Sequence, residues 1–90
     1  MPVIRFTNAL KRFYPALEPL ESNASNLRSV LKELEACHPG FSSYIVDDLG
    51  QVRKHVNIFV DGKLIRDREC LSDSLQGAKE VYIMQALSGG

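Results

Sequence analysis

Ninety residues provide for one domain and leave no room for two. Eleven basic side chains balance eleven acidic ones, so composition supplies no electrostatic drive toward nucleic acid or a membrane surface. Apolar residues make up 44% of the chain, enough for one modest core, yet no apolar run approaches the ~20 residues of a bilayer span.

The opening "MPVIRFTNALKRF" has no apolar h-region, so no secretory signal is expected, and the C-terminus carries no prenylation box. A cytoplasmic location follows as the expectation, with Cys37 and Cys70 as reduced thiols rather than a disulfide.

In chain order, "VIRF" (Val3 to Phe6) reads as a strand with Ile4 and Phe6 on one face and Val3 and Arg5 on the other. "NALKRFYP" reads as a loop or turn. "ALEPLES" (Ala16 to Ser22) reads as a second strand, held to an edge by Pro19, which donates no ladder hydrogen bond. In "SNLRSVLKELEACHPG", Leu27, Val30, Leu31, Leu34 and Cys37 recur at helical spacing. Ser25 or Asn23 is the expected N-cap, and Pro39 with Gly40 the terminator. Arg28, Lys32, Glu33 and Glu35 are placed on the solvent side.

"FSSYIVDD" suggests a short helical turn and "DLGQVRK" a loop. Val56, Ile58 and Val60 then alternate with Asn57 and Phe59, the period of a half-buried strand. Asp61-Gly62 signals a two-residue hairpin, and Lys63 to Ile65 returns. The polar connection "RDRECLSDSLQGAK" tucks Leu71 and Leu75 inward. "EVYIMQA" (Glu80 to Ala86) closes as a strand, with Val81 and Ile83 on one face and Tyr82 and Met84 on the other.

One helix with a single apolar stripe must pack on one face of a mixed sheet, so the fold class is α+β. The order strand, strand, helix, strand, strand, strand suits the ubiquitin-like β-grasp, with four to five strands and the first and last adjacent at the centre. The expected core is Ile4, Phe6, Leu27, Val30, Leu31, Leu34, Ile58, Val81 and Ile83. The expected division is a β-grasp domain over 1–86 and a flexible Gly-Gly tail over 87–90.

"HVNIFVDGKLIR", a polar loop and then "EVYIMQALSGG", together with "LEACHPG", resemble the sulfur-carrier family of ThiS and MoaD. Two departures stand out: "QGAKEV" replaces the family's acidic turn, and "QAL" falls where a proline is common. The resemblance implies that the Gly90 carboxylate is the reactive group and Gly89 its spacer. It implies an adenylyltransferase partner related to ubiquitin-activating enzymes, which uses ATP, and a sulfur-accepting enzyme that consumes the resulting thiocarboxylate. It implies no bound cofactor. Gly-Gly suits such a tail because the absence of Cβ leaves the narrowest leader into another protein's ATP site. Nothing follows Gly90 in the sequence, so the expectation is a tail that needs no trimming.

The resemblance makes the chain a protein cosubstrate rather than an enzyme, and no nucleophile–base spacing or phosphate-cradling loop argues otherwise. Phe59, Tyr82 and Met84 point away from the helix and form the expected partner-docking patch, with Arg5 and Asn57 on the same face. Leu87 and Ser88, which lead into the tail, complete the partner-binding set. Cys37 is read as a small core residue and Cys70 as a loop thiol. Cys37, His38, His55 and Cys70 lack ligand-pair spacing, so no metal site is expected. "RKH" (Arg53 to His55) and "RDR" (Arg66 to Arg68) read as solvated charge. Other uses of the same tail are conjugation to a lysine, as in ubiquitin-like modifiers, permanent insertion into a large subunit, as in molybdopterin synthase, or an inert end on a binding domain.

Overall fold

A computed structural model describes residues 1–85 of the chain. The alternating segments form the sheet. Strand β1 is Val3–Phe6, β2 Leu20–Glu21, β3 Val56–Val60, β4 Lys63–Leu64 and β5 Glu80–Gln85, in the spatial order β2-β1-β5-β3-β4. β1 and β5 pair in parallel at the centre, while β3 lies antiparallel to β5 and β4 antiparallel to β3. This is the β-grasp arrangement. Asp61 and Gly62 both hold positive φ, 50° and 84°, as a hairpin turn of matching twist requires.

The main helix, α2 (Leu27–Cys37), lies over this sheet. Its Leu27, Val30, Leu31 and Leu34 join Ile4, Phe6, Ile58, Val81 and Ile83 in one buried cluster. Each such burial contributes about 1.5–3 kcal/mol. All nine of these expected core residues are buried, whereas Cys37 is not. Helix α3 (Ser42–Ile45) supplies the short turn expected after Gly40, whose φ of 89° ends α2.

Several expectations need correction. "NALKRFYP" is not all loop: Asn8–Lys11 forms a one-turn helix, α1, that buries Leu10. The second strand shrinks to Leu20–Glu21, because Leu17 turns inward as a buried anchor instead of joining the ladder. The N-cap of α2 is Asn26, whose side chain accepts a 2.9 Å bond from Ser29 N–H. Ser25 instead uses its carbonyl to accept from Leu75 N–H.

Cys37 is exposed rather than part of the core. At about 100° per residue it lies some 70° from the axis of the Leu27–Leu34 stripe, whereas position 38 lies under it. Glu33 and Glu35 are not free solvent charges. Glu33 accepts from the buried Ser22 hydroxyl at 2.8 Å, and Glu35 accepts from Gly40 N–H and from both the N–H and hydroxyl of Ser42. These bonds fasten the end of α2 to α3 and hold the Glu35 carboxyl below the usual range, the Gly40 N–H contributing most.

Arg68 is no solvated charge either. Its guanidinium donates to the carbonyls of Arg53 and Val56 at 2.6 and 2.7 Å. Val52 N–H donates to the Arg68 carbonyl at 2.8 Å. Beside it, the Asp67 carboxylate accepts from the Ser72 hydroxyl and from the backbone N–H groups of Glu69, Cys70 and Ser72. Those donors, led by the Ser72 hydroxyl, lower its pKa. The connection from β4 to β5 is therefore laced internally and to the approach of β3.

Candidate functional site

The sheet face opposite α2 carries the side chains that alternation turns away from the core. The pairing of β5 with β1 sets Arg5 beside Tyr82, and its pairing with β3 sets Phe59 beside Tyr82 and Asn57 beside Met84. The hairpin then sets Leu64 beside Phe59. Arg5, Tyr82, Phe59 and Leu64 thus form a row across β1, β5, β3 and β4, with Met84 and Asn57 in the next row.

Phe59, Tyr82 and Met84 are half-buried, and with Gly62 and Glu80 they line a shallow cleft of about 270 Å³. Arg5 and Glu80 close one side with a 3.0 Å ion pair, both side chains close to half exposed. A pair so exposed fixes side-chain positions more than it stabilises the fold.

The structure brings together Phe59, Tyr82 and Met84, and places Arg5 and Asn57 on the same face as expected. It adds Leu64, 56% exposed, which the sequence reading missed. The signal was present. A two-residue turn at Asp61-Gly62 fixes the register, so the residue two before the turn must face the residue two after it.

At the C-terminal end of β5, Gln85 N–H donates to Thr7 Oγ1 at 3.2 Å and Thr7 N–H donates to the Ile83 carbonyl. The end of the central strand is therefore held against the β1–α1 corner. Leu87, Ser88, Gly89 and Gly90, the remainder of the expected site, lie outside the described residues, as does Ala86, the expected end of the last strand.

Among the described residues no group of three or more His, Cys, Asp or Glu side chains converges on a metal position, and no helix is long and apolar enough to cross a membrane. Cys70 is exposed, in the loop where it was expected.

The model of the ThiS family matches residues 4–90, nearly the whole chain. The chain belongs to the ThiS family. No curated protein sequence matches it. Solved structures similar to this ThiS-family chain include one from the BexX/CysO complex of Amycolatopsis orientalis, with TM-score 0.81 and 16% identity, covering 100% of both chains. SAMP1 from Haloferax volcanii superposes with TM-score 0.73 at 18% identity, covering 98% of this chain and 97% of that one. The HVO 2177 protein of Haloferax volcanii does so with TM-score 0.67 at 24% identity, covering 98% and 84%. At these identities the likeness is one of fold, and all three support the β-grasp.

Proposed function

We propose that this chain is a sulfur carrier whose Gly90 carboxylate is adenylated and then converted to a thiocarboxylate. The observation that carries this reading is membership of the ThiS family over residues 4–90, a span that takes in Gly89 and Gly90. A carboxylate is a poor electrophile because its leaving group is oxide. Attack of a carboxylate oxygen on the α-phosphorus of ATP releases pyrophosphate and leaves a mixed anhydride with AMP. The terminal sulfur of a persulfide then takes the carbonyl carbon and AMP departs, after which a thiol cleaves the sulfur–sulfur bond and leaves the thiocarboxylate. No step asks for a side chain of the carrier.

The carrier supplies reach and docking. β5 lies at the centre of the sheet, paired on both sides, and on this reading it is the base from which the tail extends. The Phe59–Tyr82–Met84 cleft beside it has the aromatic and methionine content of a partner interface. On this reading the face seats the adenylyltransferase and later the sulfur-accepting enzyme, Leu87 and Ser88 lead Gly89 and Gly90 into each active site, and ATP is bound by the partner. The chain is a cosubstrate in the cytoplasm rather than an enzyme. CysO, its structural neighbour, was solved in a complex with a second protein, BexX, which supports a carrier that works docked on a partner.

The test is the intact mass after incubation with a candidate adenylyltransferase, ATP and a persulfide donor. The expected result is a gain equal to replacing one oxygen by sulfur, lost on deleting Gly90. An active adenylyltransferase that leaves the mass unchanged overturns the reading, and a lysine-linked conjugate in cell extract replaces it with modifier function.

A further inference from the structure

Two basic stretches, Lys11–Arg12 and Arg53–His55, come to one end of the sheet. Strand pairing places the start of β3 beside the end of β5, Val56 opposite Gln85, so Arg53, Lys54 and His55 stand next to the point where β5 leaves the sheet. On the other side, Thr7 binds Gln85 N–H and leads directly into α1, which carries Lys11, followed by Arg12. Phe13 comes next. It is 53% exposed and stacks on Tyr44 with ring centroids 4.8 Å apart.

Tyr44, Ser43, Arg53, His55 and Gln85 line a single open cleft of about 290 Å³. Arg53 is fixed there by donating from Nε to the Ser43 carbonyl at 2.8 Å. No carboxylate lines the cleft, and the one ion pair among the described residues, Arg5–Glu80, lies elsewhere. Among the described residues Lys11, Arg12, Arg53 and Lys54 make no ion pair, so four cations gather at this end of a chain whose formal net charge is zero.

We infer that this end of the sheet is a second contact surface, a cationic and aromatic collar around the root of the tail. Its occupant is a carboxylate-rich rim on the adenylating partner, around the mouth of the site that takes Gly90. The inference rests on the carrier reading above, because position decides between acidic protein and nucleic acid. An enzyme that receives a chain leaving β5 must come against whatever flanks the end of β5. Complementary rim charge acts chiefly on encounter and orientation, over a Debye length of about 8 Å at physiological salt, so it governs how much carrier the enzyme needs rather than turnover once bound.

The test is adenylation kinetics of the full chain with the adenylyltransferase that passes the mass assay. The variant is K11E/R12E/K54E, whose side chains are exposed and make no hydrogen bond among the described residues. Its KM for the carrier is expected to rise at least about tenfold with kcat unchanged, the gap narrowing as salt is raised to about 0.5 M. Arg28, Lys32 and Arg66 are exposed and line neither cleft, so R28E/K32E/R66E, with the same three charge reversals, tests net charge and is expected to keep the wild-type KM.

Wild-type KM in K11E/R12E/K54E, or equal loss in both variants, overturns the collar while leaving Gly90 chemistry standing. Failure of the wild-type chain to be adenylated overturns both. If single-stranded RNA of about ten nucleotides binds the wild-type chain and competes with the enzyme, the collar is a nucleic-acid surface and the inference is wrong.

Discussion

Replacing Arg68 by alanine tests whether a basic residue in a polar loop holds the approach to β3. Its guanidinium makes two charge-assisted bonds, at 2.6 Å to the Arg53 carbonyl and 2.7 Å to the Val56 carbonyl. The 3.4 Å approach to Asn57 Oδ1 is too long to count for much. Bonds to charged groups are worth roughly 1.5–3 kcal/mol each when well shielded. The site is part-buried, so water recovers some of that, and an expected loss of about 2–3 kcal/mol follows. For a domain of this size the melting temperature should fall by roughly 10–20 °C.

Urea unfolding is the assay, with the slope m expected to match wild type. R68K should recover less than half of the loss, since one ammonium cannot reproduce the planar fork that reaches both carbonyls. A loss in R68A below about 0.5 kcal/mol, the scale of an ordinary surface substitution, refutes the clamp. Full recovery by lysine refutes the role given to geometry.

Asp67 and Glu35 both have carboxyls below the usual range, so the stability they contribute is present above the ordinary carboxylate pKa and is lost as pH falls through their lower folded values. D67N should therefore lower the urea midpoint near neutral pH and flatten its decline on acidification; a parallel decline in both proteins tells against this. D61A should cost about 1–2 kcal/mol in urea unfolding, because Asp61 holds positive φ and its Oδ1 accepts from the backbone N–H groups of Lys79 and Glu80. M84D should keep the wild-type melting temperature within a few degrees yet lower adenylation at subsaturating carrier about tenfold or more, and unchanged adenylation removes the cleft from the docking face. Cys37 and Cys70 should both alkylate in the native protein, and C37S/C70S should still gain the sulfur mass; loss of that gain would give a thiol a place in the chemistry.

What was legible in the sequence was what has a period. Alternation in "VIRF", "VNIFV" and "EVYIM" predicts the buried faces of β1, β3 and β5, and the positive-φ pair Asp61-Gly62 predicts the hairpin. The same alternation, taken on its outer face, predicts the Phe59–Tyr82–Met84 cleft. Leu10, Leu17, Phe41 and Ile45 were missed as core because they are single anchors in segments too short to repeat. Cys37 was misplaced because a spacing of three from Leu34 satisfies the pattern while drifting off the stripe. The jobs of Arg68, Glu33 and Glu35 were invisible because their partners are mostly backbone and hydroxyl groups brought near by the fold. The cleft at Arg53 and His55 depends on β3 beginning beside the end of β5, which no local pattern encodes.

The central place of β5 also sets the order in which the molecule can be completed. Val3 pairs with Glu80 and Phe6 with Ile83, so contacts at the middle of the sheet join the two ends of the chain. Until residues 80–85 are available, the β1–β2 and β3–β4 hairpin-like halves have no strand between them, and each presents an unpaired edge. Pairings of such long sequence separation slow folding and delay it until after the last strand has been synthesised. In a chain still lacking residues 80–85, the two halves of the sheet share no strand, and the strand whose arrival joins them is the one that leads toward the tail.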